Sequence, residues 1–151
     1  MNWIKAILSS GASSVLLNGV LGKVFHCRRG VRQGDPLSPL LFVLAADPLQ
    51  SIMNKAREMW LFTLPLPLQH SSDFPIIQYA DDTLHIMEAS ARQLVTLNSL
   101  LLSFSNSTGL KVNYSKSSMY PINISGQKLN HLAITFSCAT GSLPFTYLGL
   151  P

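Results

Sequence analysis

The apolar and polar positions divide the chain into short hairpins and amphipathic helices. In "SSVLLNGVLGKVFHCRRG", residues 13–30, two extended runs flank Asn18-Gly19. That dipeptide is the strongest short hairpin signal, because both central residues of the favoured turn need positive φ. Gly30, Gly34 and Pro36 then punctuate a loop. Ser38 as N-cap and Pro39 at the first helical position open a helix predicted to run to about Met59. Its first half, "LLFVLAA", is apolar all round, which predicts a buried helix. Pro48 should kink or split it, since proline lacks the N–H and crowds the carbonyl of Leu44.

"LPLPLQHSSDFP" reads as a loop or weak edge segment, because its prolines exclude a central strand. "IIQYA" and "TLHIM" read as two strands with Asp81-Asp82 at the turn between them. Ser90 followed by Gln93 is a capping box, and Leu94, Leu97, Leu101 and Phe104 form one helical face that Gly109 closes as a C-terminal cap. Beyond it come strand-like "LKVN", a loop with Lys116, strand-like "SMYPINI", a short helix "GQKLNHLA" and a terminal "LPFTYLGLP". Alternating hairpins and helices without repeat or linker predict an α+β fold, with antiparallel β-hairpins packed on helices.

Composition narrows the picture. A length of 151 residues fits one domain or part of a larger one. With 47% hydrophobic and 12% charged residues, the chain forms a core, and the low charge implies surface that further protein covers. The net charge of +4 suits a polyanionic partner. Cys27 and Cys138 match no zinc spacing and are expected as buried thiols of a reducing compartment; His26, His70, His85 and His131 match none either. The N-terminus lacks a signal-peptide core and Arg-rich transit character, and the longest apolar run, "PLLFVLAA", is far short of a membrane span. The expectation is an intracellular protein, nuclear or cytoplasmic, that neither is secreted nor enters a membrane.

Two stretches carry candidate chemistry. Asp81 and Asp82, set between bulky apolar flanks, are hard oxygen ligands on a tight turn and suit magnesium, which keeps sites for water and substrate phosphates. Two-ion phosphoryl transfer uses several carboxylates, so a third should come from another strand. The alternative is a solvated Asp-Asp turn. In "CRRGVRQGDPLSP", Arg28, Arg29 and Arg32 lie beside a glycine-broken loop that opens a helix, an arrangement that favours phosphate. Gln33-Gly34 lets backbone approach a flat ligand closely. The alternative here is an ordinary basic loop with a helix cap.

"RRGVRQGDPLSPLLF", "QYADDT", "GLKVNYSKS" and "LPFTYLGLP", in this order, resemble the reverse transcriptase domain of LINE-type, non-LTR retrotransposons, and the last of them looks most like elements spread through plant genomes. The resemblance covers nearly the whole chain, and four ordered blocks are specific where Tyr79-Ala80-Asp81-Asp82 alone is not. It implies a right-hand polymerase in which residues 1–151 are a partial palm. Asp81 and Asp82 then hold the catalytic metals, two magnesium ions in the complete enzyme, and Lys116 lies near the triphosphate. Arg32, Gln33, Gly34 and Tyr79 belong with the incoming nucleotide and template, and Arg28 and Arg29 with the nucleic-acid backbone. Tyr147, Leu148 and Gly149 match the start of the hairpin that grips the primer end. The implied partners are an RNA template, a DNA primer and deoxynucleotide triphosphates, with no small-molecule cofactor.

In the resembled family a further metal-binding aspartate lies on a palm strand upstream of "WIKAILSSGASSVLLNG", and that strand pairs with the aspartate hairpin. None of the seven acidic residues here precedes Asp35. Two readings follow: a portion of an RNA-directed DNA polymerase that is inactive alone, or a non-catalytic remnant that binds nucleic acid weakly and without sequence preference. A chain with no partner and no stable fold is the third.

Overall fold

A computed structural model describes residues 2–28, 30–32, 34–65 and 73–149. Contacts cluster within two compact units, Met1–Ala45 and Ala46–Pro151. In the first, helix α1 (Asn2–Ser9) leads into a hairpin of four short strands, β1 (Ala12–Ser13), β2 (Leu16–Leu17), β3 (Val20–Leu21) and β4 (Phe25–His26). Leu17 pairs with Val20 across Asn18 (φ 49°) and Gly19 (φ 81°), the two positive φ values of a type I′ turn. The outer ladder pairs Ser13 with Phe25 and Ala12 with His26. Between the two ladders Ser14 and Val15 oppose Gly22, Lys23 and Val24, so the returning strand carries a one-residue bulge. The Gly22 N–H donates to the Val15 carbonyl at 2.9 Å, and a Cβ on Gly22 would stand 3.0 Å from that oxygen.

Helix α2 (Ser38–Ala46) departs from expectation at both ends of the argument. Ser38 is the first helical residue rather than the N-cap. Asp35 takes the capping role instead, its Oδ1 accepting from the Leu37 N–H at 2.8 Å, while the Ser38 hydroxyl donates to the Arg32 carbonyl at 2.5 Å. The helix is also not buried: Leu40, Val43 and Leu44 are exposed, and Ser38 is its buried residue. All-round apolarity predicts burial only when protein packs on every side, and here it does not. Cys27, beside the exposed hairpin, is likewise an exposed thiol rather than a buried one, and Cys138 is half-buried.

Pro48 splits the long apolar stretch as predicted, starting helix α3 (Pro48–Glu58) with Asp47 at its N-cap. The second unit continues with β5 (Ile76–Tyr79), β6 (Asp82–His85), α4 (Ala91–Thr108), a 3₁₀ turn (Tyr114–Lys116), β7 (Ser118–Met119), α5 (Gly126–Phe136) and β8 (Ala139–Thr140). Its core joins Leu49, Met53 and Ala56 of α3 to Leu97, Leu101 and Phe104 of α4, with Phe62 and Phe74 between them. Leu94 is buried as well, so the predicted face of α4 is the one that packs. Phe74 and Met53 are the most deeply enclosed side chains, and the Phe74 ring tilts against Phe62 at 5.2 Å.

Gly109 closes α4 in the left-handed region (φ 80°), its N–H donating to the Ser105 carbonyl. The predicted capping box does not form. Ser90 has the extended N-cap backbone but makes no side-chain cap, and Gln93 Nε2 donates instead to Thr63 Oγ1 (2.7 Å) and Glu88 Oε2 (2.9 Å). On the outer side of α4 the hydroxyls of Thr96, Ser99, Ser103, Ser107 and Thr108 each donate to the carbonyl four residues back. "LKVN" forms no strand, and of "SMYPINI" only Ser118–Met119 pairs, in parallel with Ala139–Thr140. Strand propensity needs a pairing partner, and Pro121 offers no donor to one. Among the described residues no helix is long and apolar enough to cross a membrane.

Candidate functional site

The aspartate pair lies where two strands meet. Ile76 pairs with His85, Ile77 with Leu84, Gln78 with Thr83 and Tyr79 with Asp82, which leaves Ala80 and Asp81 as a two-residue turn. The φ of +48° at Ala80 turns the chain at the first turn position. Asp81 is therefore in the turn and Asp82 begins the returning strand, both exposed. Cross-strand partners share a face and neighbours alternate. Asp82 thus lies on the side of Tyr79, Ile77 and Leu84, and His85 on the side of Ile76, which packs against the core. Tyr79 (61% exposed) presents its ring beside Asp82 on the outer side.

The root of this hairpin is held by α3. Asn54 Oδ1 accepts from the Phe74 N–H (2.8 Å) and from Gln50 Nε2 (3.0 Å), while Gln50 Nε2 also donates to the Phe74 carbonyl (2.9 Å). Asn54 Nδ2 donates to Asp73 Oδ1 at 2.9 Å. Two amides one helical turn apart thus satisfy both backbone groups of a buried residue just before β5. His85 secures the other strand by burial. Its ring keeps some surface, but Nδ1 is enclosed without a partner, and desolvation pushes the imidazole from 6.5 down to about 4. Neither support was legible from the sequence: the amides reach 20–24 residues along the chain, and a histidine on a strand gives no sign of which face it takes.

The basic loop belongs to the first unit. Arg28 and Arg32 are exposed, and the Arg32 carbonyl anchors the Ser38 hydroxyl at the start of α2. Gly34 has φ 82° and open space where a Cβ would stand, so its left-handed backbone rather than crowding accounts for glycine there. Arg29 and Gln33 lie outside the described residues. In the second unit, Lys116 is exposed at the end of its 3₁₀ turn. Tyr147 is half-buried with its hydroxyl enclosed and unpartnered, and Leu148 (φ 52°) and Gly149 (φ 80°) follow with the paired positive φ values of a hairpin turn.

The donors at the hairpin tip are two exposed carboxylates, hard oxygen ligands of the kind that bind a divalent cation together with water. Among the described residues no group of three or more His, Cys, Asp or Glu side chains is placed to hold a metal.

Comparison with known proteins accounts for the whole chain. The family described as reverse transcriptase (RNA-dependent DNA polymerase) matches residues 1–151. The Retrovirus-related Pol polyprotein from a type-2 retrotransposable element of Drosophila melanogaster is 31% identical over 130 residues, covering 84% of this chain and 11% of that protein. An uncharacterized mitochondrial protein of Arabidopsis thaliana is 38% identical over 71 residues, 45% of this chain and 56% of that protein. The chain therefore spans about half of one relative and about a tenth of the other.

Proposed function

Because this chain belongs to the reverse transcriptase (RNA-dependent DNA polymerase) family, we propose that it is the palm portion of a retrotransposon reverse transcriptase, with Asp81 and Asp82 as its metal-holding carboxylates. The observation that carries this reading is the two-residue hairpin that sets both aspartates at one exposed tip, on a root tied to the core. Divalent metal use is general to the family, and magnesium is the ion proposed here. When bound, it supplies positive charge to the phosphate oxygens of the reaction. The protein's own residues bind and orient. Arg28, Arg29 and Arg32 take nucleic-acid phosphates, Gln33 and Gly34 bring backbone to the nucleotide and template, and Tyr79 adds a flat apolar surface beside Asp82. Lys116 meets the triphosphate, and Tyr147 to Gly149 meet the primer end. An RNA template, a DNA primer and deoxynucleotide triphosphates are the proposed partners.

The chain on its own is proposed not to extend a primer. Two carboxylates hold one cation, and positioning of the reactants supplies as much as roughly 7–11 kcal/mol in reactions of this kind. Two measurements test the reading. Manganese relaxation should detect one divalent site in the chain and none after Asp81→Asn with Asp82→Asn; equal binding by both proteins would refute the metal assignment. Primer extension on an RNA template should stay at background for both; extension by the parent that the double variant abolishes would refute inactivity.

The second reading is non-catalytic, sequence-independent binding of nucleic acid. It is favoured by the distribution of charge: Met1–Ala45 holds Lys5, Lys23, Arg28, Arg29 and Arg32 against Asp35, while the rest of the chain holds six bases and six acids. The whole net charge of +4 lies in the first unit. Such binding weakens linearly on a log–log salt plot. Its persistence after all three arginines become alanine would remove that site.

A further inference from the structure

Between the end of α4 at Thr108 and the start of β7 at Ser118 the chain joins no strand ladder, yet Lys116 lies on a closely fixed turn. Asn113 folds that turn. Its carbonyl accepts from the Lys116 N–H (3.1 Å) and the Ser117 hydroxyl (2.9 Å), and its Oδ1 accepts from the Ser115 hydroxyl (2.7 Å). The Tyr114 carbonyl accepts from the Ser117 N–H at 3.2 Å. These bonds give the turn its shape but do not attach it to the rest of the unit.

Attachment comes from Tyr114 on one side and Ser117 on the other. The Tyr114 ring meets Phe136 of α5 edge-on at 5.4 Å, and Phe136 packs against the core. The Tyr114 hydroxyl donates to Asn98 Oδ1 of α4 at 2.5 Å. The Ser117 carbonyl accepts from the Ala139 N–H at 3.1 Å, where the β7–β8 ladder begins. Asn98 is exposed, so water could satisfy the tyrosine hydroxyl in its place. The bond therefore gives direction to the turn rather than relief to a buried group. Lysine offers phosphate a point charge on a flexible stem, so the place where its backbone is held decides the region that the ammonium reaches.

We propose that Tyr114 is a positioning residue, which ties its turn to α4 and α5 together and so aims the Lys116 ammonium at a polyphosphate. Tyr114 touches no ligand and acts through Lys116. This rests on the assignment of Lys116 to the triphosphate and adds the group that determines where the amine stands. A turn docked for only part of the time lowers apparent affinity by that fraction.

The test uses the full chain and sodium tripolyphosphate, with dissociation constants read from the nitrogen-15 NMR shifts of residues 114–117. Lys116→Ala should weaken binding at least roughly threefold, whereas Lys111→Ala, outside the turn, should change it by less than about twofold, the size of a screened surface charge. Tyr114→Phe keeps the ring on Phe136 and loses the hydroxyl. It should weaken binding roughly threefold to fivefold, the upper end being the worth of one hydrogen bond. Asn98→Ala should do the same, and the two changes together should do no more, because they break one bond. In a Lys116→Ala background Tyr114→Phe should have no effect, since nothing is left to aim; a merely structural loss would persist there. Circular dichroism of the Phe and Asn98→Ala variants should match the parent's. Unchanged affinity in Tyr114→Phe, or the same loss with and without Lys116, overturns the proposal and leaves the assignment of Lys116 intact. Equal binding by the parent and Lys116→Ala overturns that assignment and the proposal with it.

Discussion

Replacing Asn54 by alanine removes the joint between α3 and the aspartate hairpin. Three hydrogen bonds disappear: those accepted from the Phe74 N–H and from Gln50 Nε2, and the one donated to Asp73. Net contributions near 1 kcal/mol each are usual, and an amide left unpaired in a buried setting costs about 1–3 kcal/mol. Phe74 is 1% exposed, so its N–H has little access to water as a replacement partner. Gln50 keeps its bond to the Phe74 carbonyl, which limits the damage on that side. The expected loss is about 2–4 kcal/mol, a large part of the roughly 5–15 kcal/mol by which a domain is stable. Urea unfolding followed by circular dichroism measures it, with the midpoint falling and the slope unchanged. A double cycle with Gln50→Ala should show coupling, because both amides serve one residue. If Asn54→Ala shifts stability by less than about 0.5 kcal/mol, the range of an ordinary surface change, the clamp does not hold the hairpin.

Gly141→Ala should destabilise by about 1–3 kcal/mol, since the new Cβ would stand 2.2 Å from the Tyr120 ring, which is stacked on Phe145 at 4.3 Å; a melting temperature equal to the parent's would refute the contact. Gly109→Ala should cost about 1 kcal/mol from the left-handed cap, and Gly109→Asn less, again read from melting. His85 is neutral when folded, with its pKa near 4 below the ordinary 6.5. Its stabilisation is therefore complete above about pH 6.5, declines as pH falls through that value, and levels off near 4. Because the ring keeps some surface, the decline should be about 1–2 kcal/mol rather than the fuller value of the shift, and His85→Leu should flatten the stability profile between those pH values.

The parts of the fold legible in the sequence are those decided within a few residues. Asn18-Gly19 demands its turn, Pro48 cannot continue a helix, Gly109 alone suits the left-handed cap, and the spacing of Leu94, Leu97, Leu101 and Phe104 selects a face. The aspartate turn belongs with these, because apolar runs of matched length flank it. What depended on distant partners was not legible. Gln93 had the spacing of a capping box, but Thr63 and Glu88 compete for its amide. The apolarity of α2 promised burial all round, but only one side is covered: Leu41 and Phe42 are half-buried while Leu40, Val43 and Leu44 are exposed. "LKVN" had strand composition and no strand beside it. Of the candidate site, the hairpin carboxylates and the exposed arginines were readable as chemistry, whereas the Gln50–Asn54 clamp and the enclosed His85 follow only from packing.

The hydroxyl ladder on α4 separates two kinds of experiment. Between Arg92 and Lys111 the chain has no ionisable side chain, and the outer face of that helix carries serines and threonines bonded to its own carbonyls beside the exposed Val95 and Leu102. The inner face is leucine and phenylalanine. Counterions have almost nothing to screen along the element that forms half of the core. Phosphate binding by the arginines, in contrast, depends steeply on salt. Ionic strength can therefore be varied over a wide range as a reagent that addresses the basic unit and leaves the scaffold of the aspartates undisturbed.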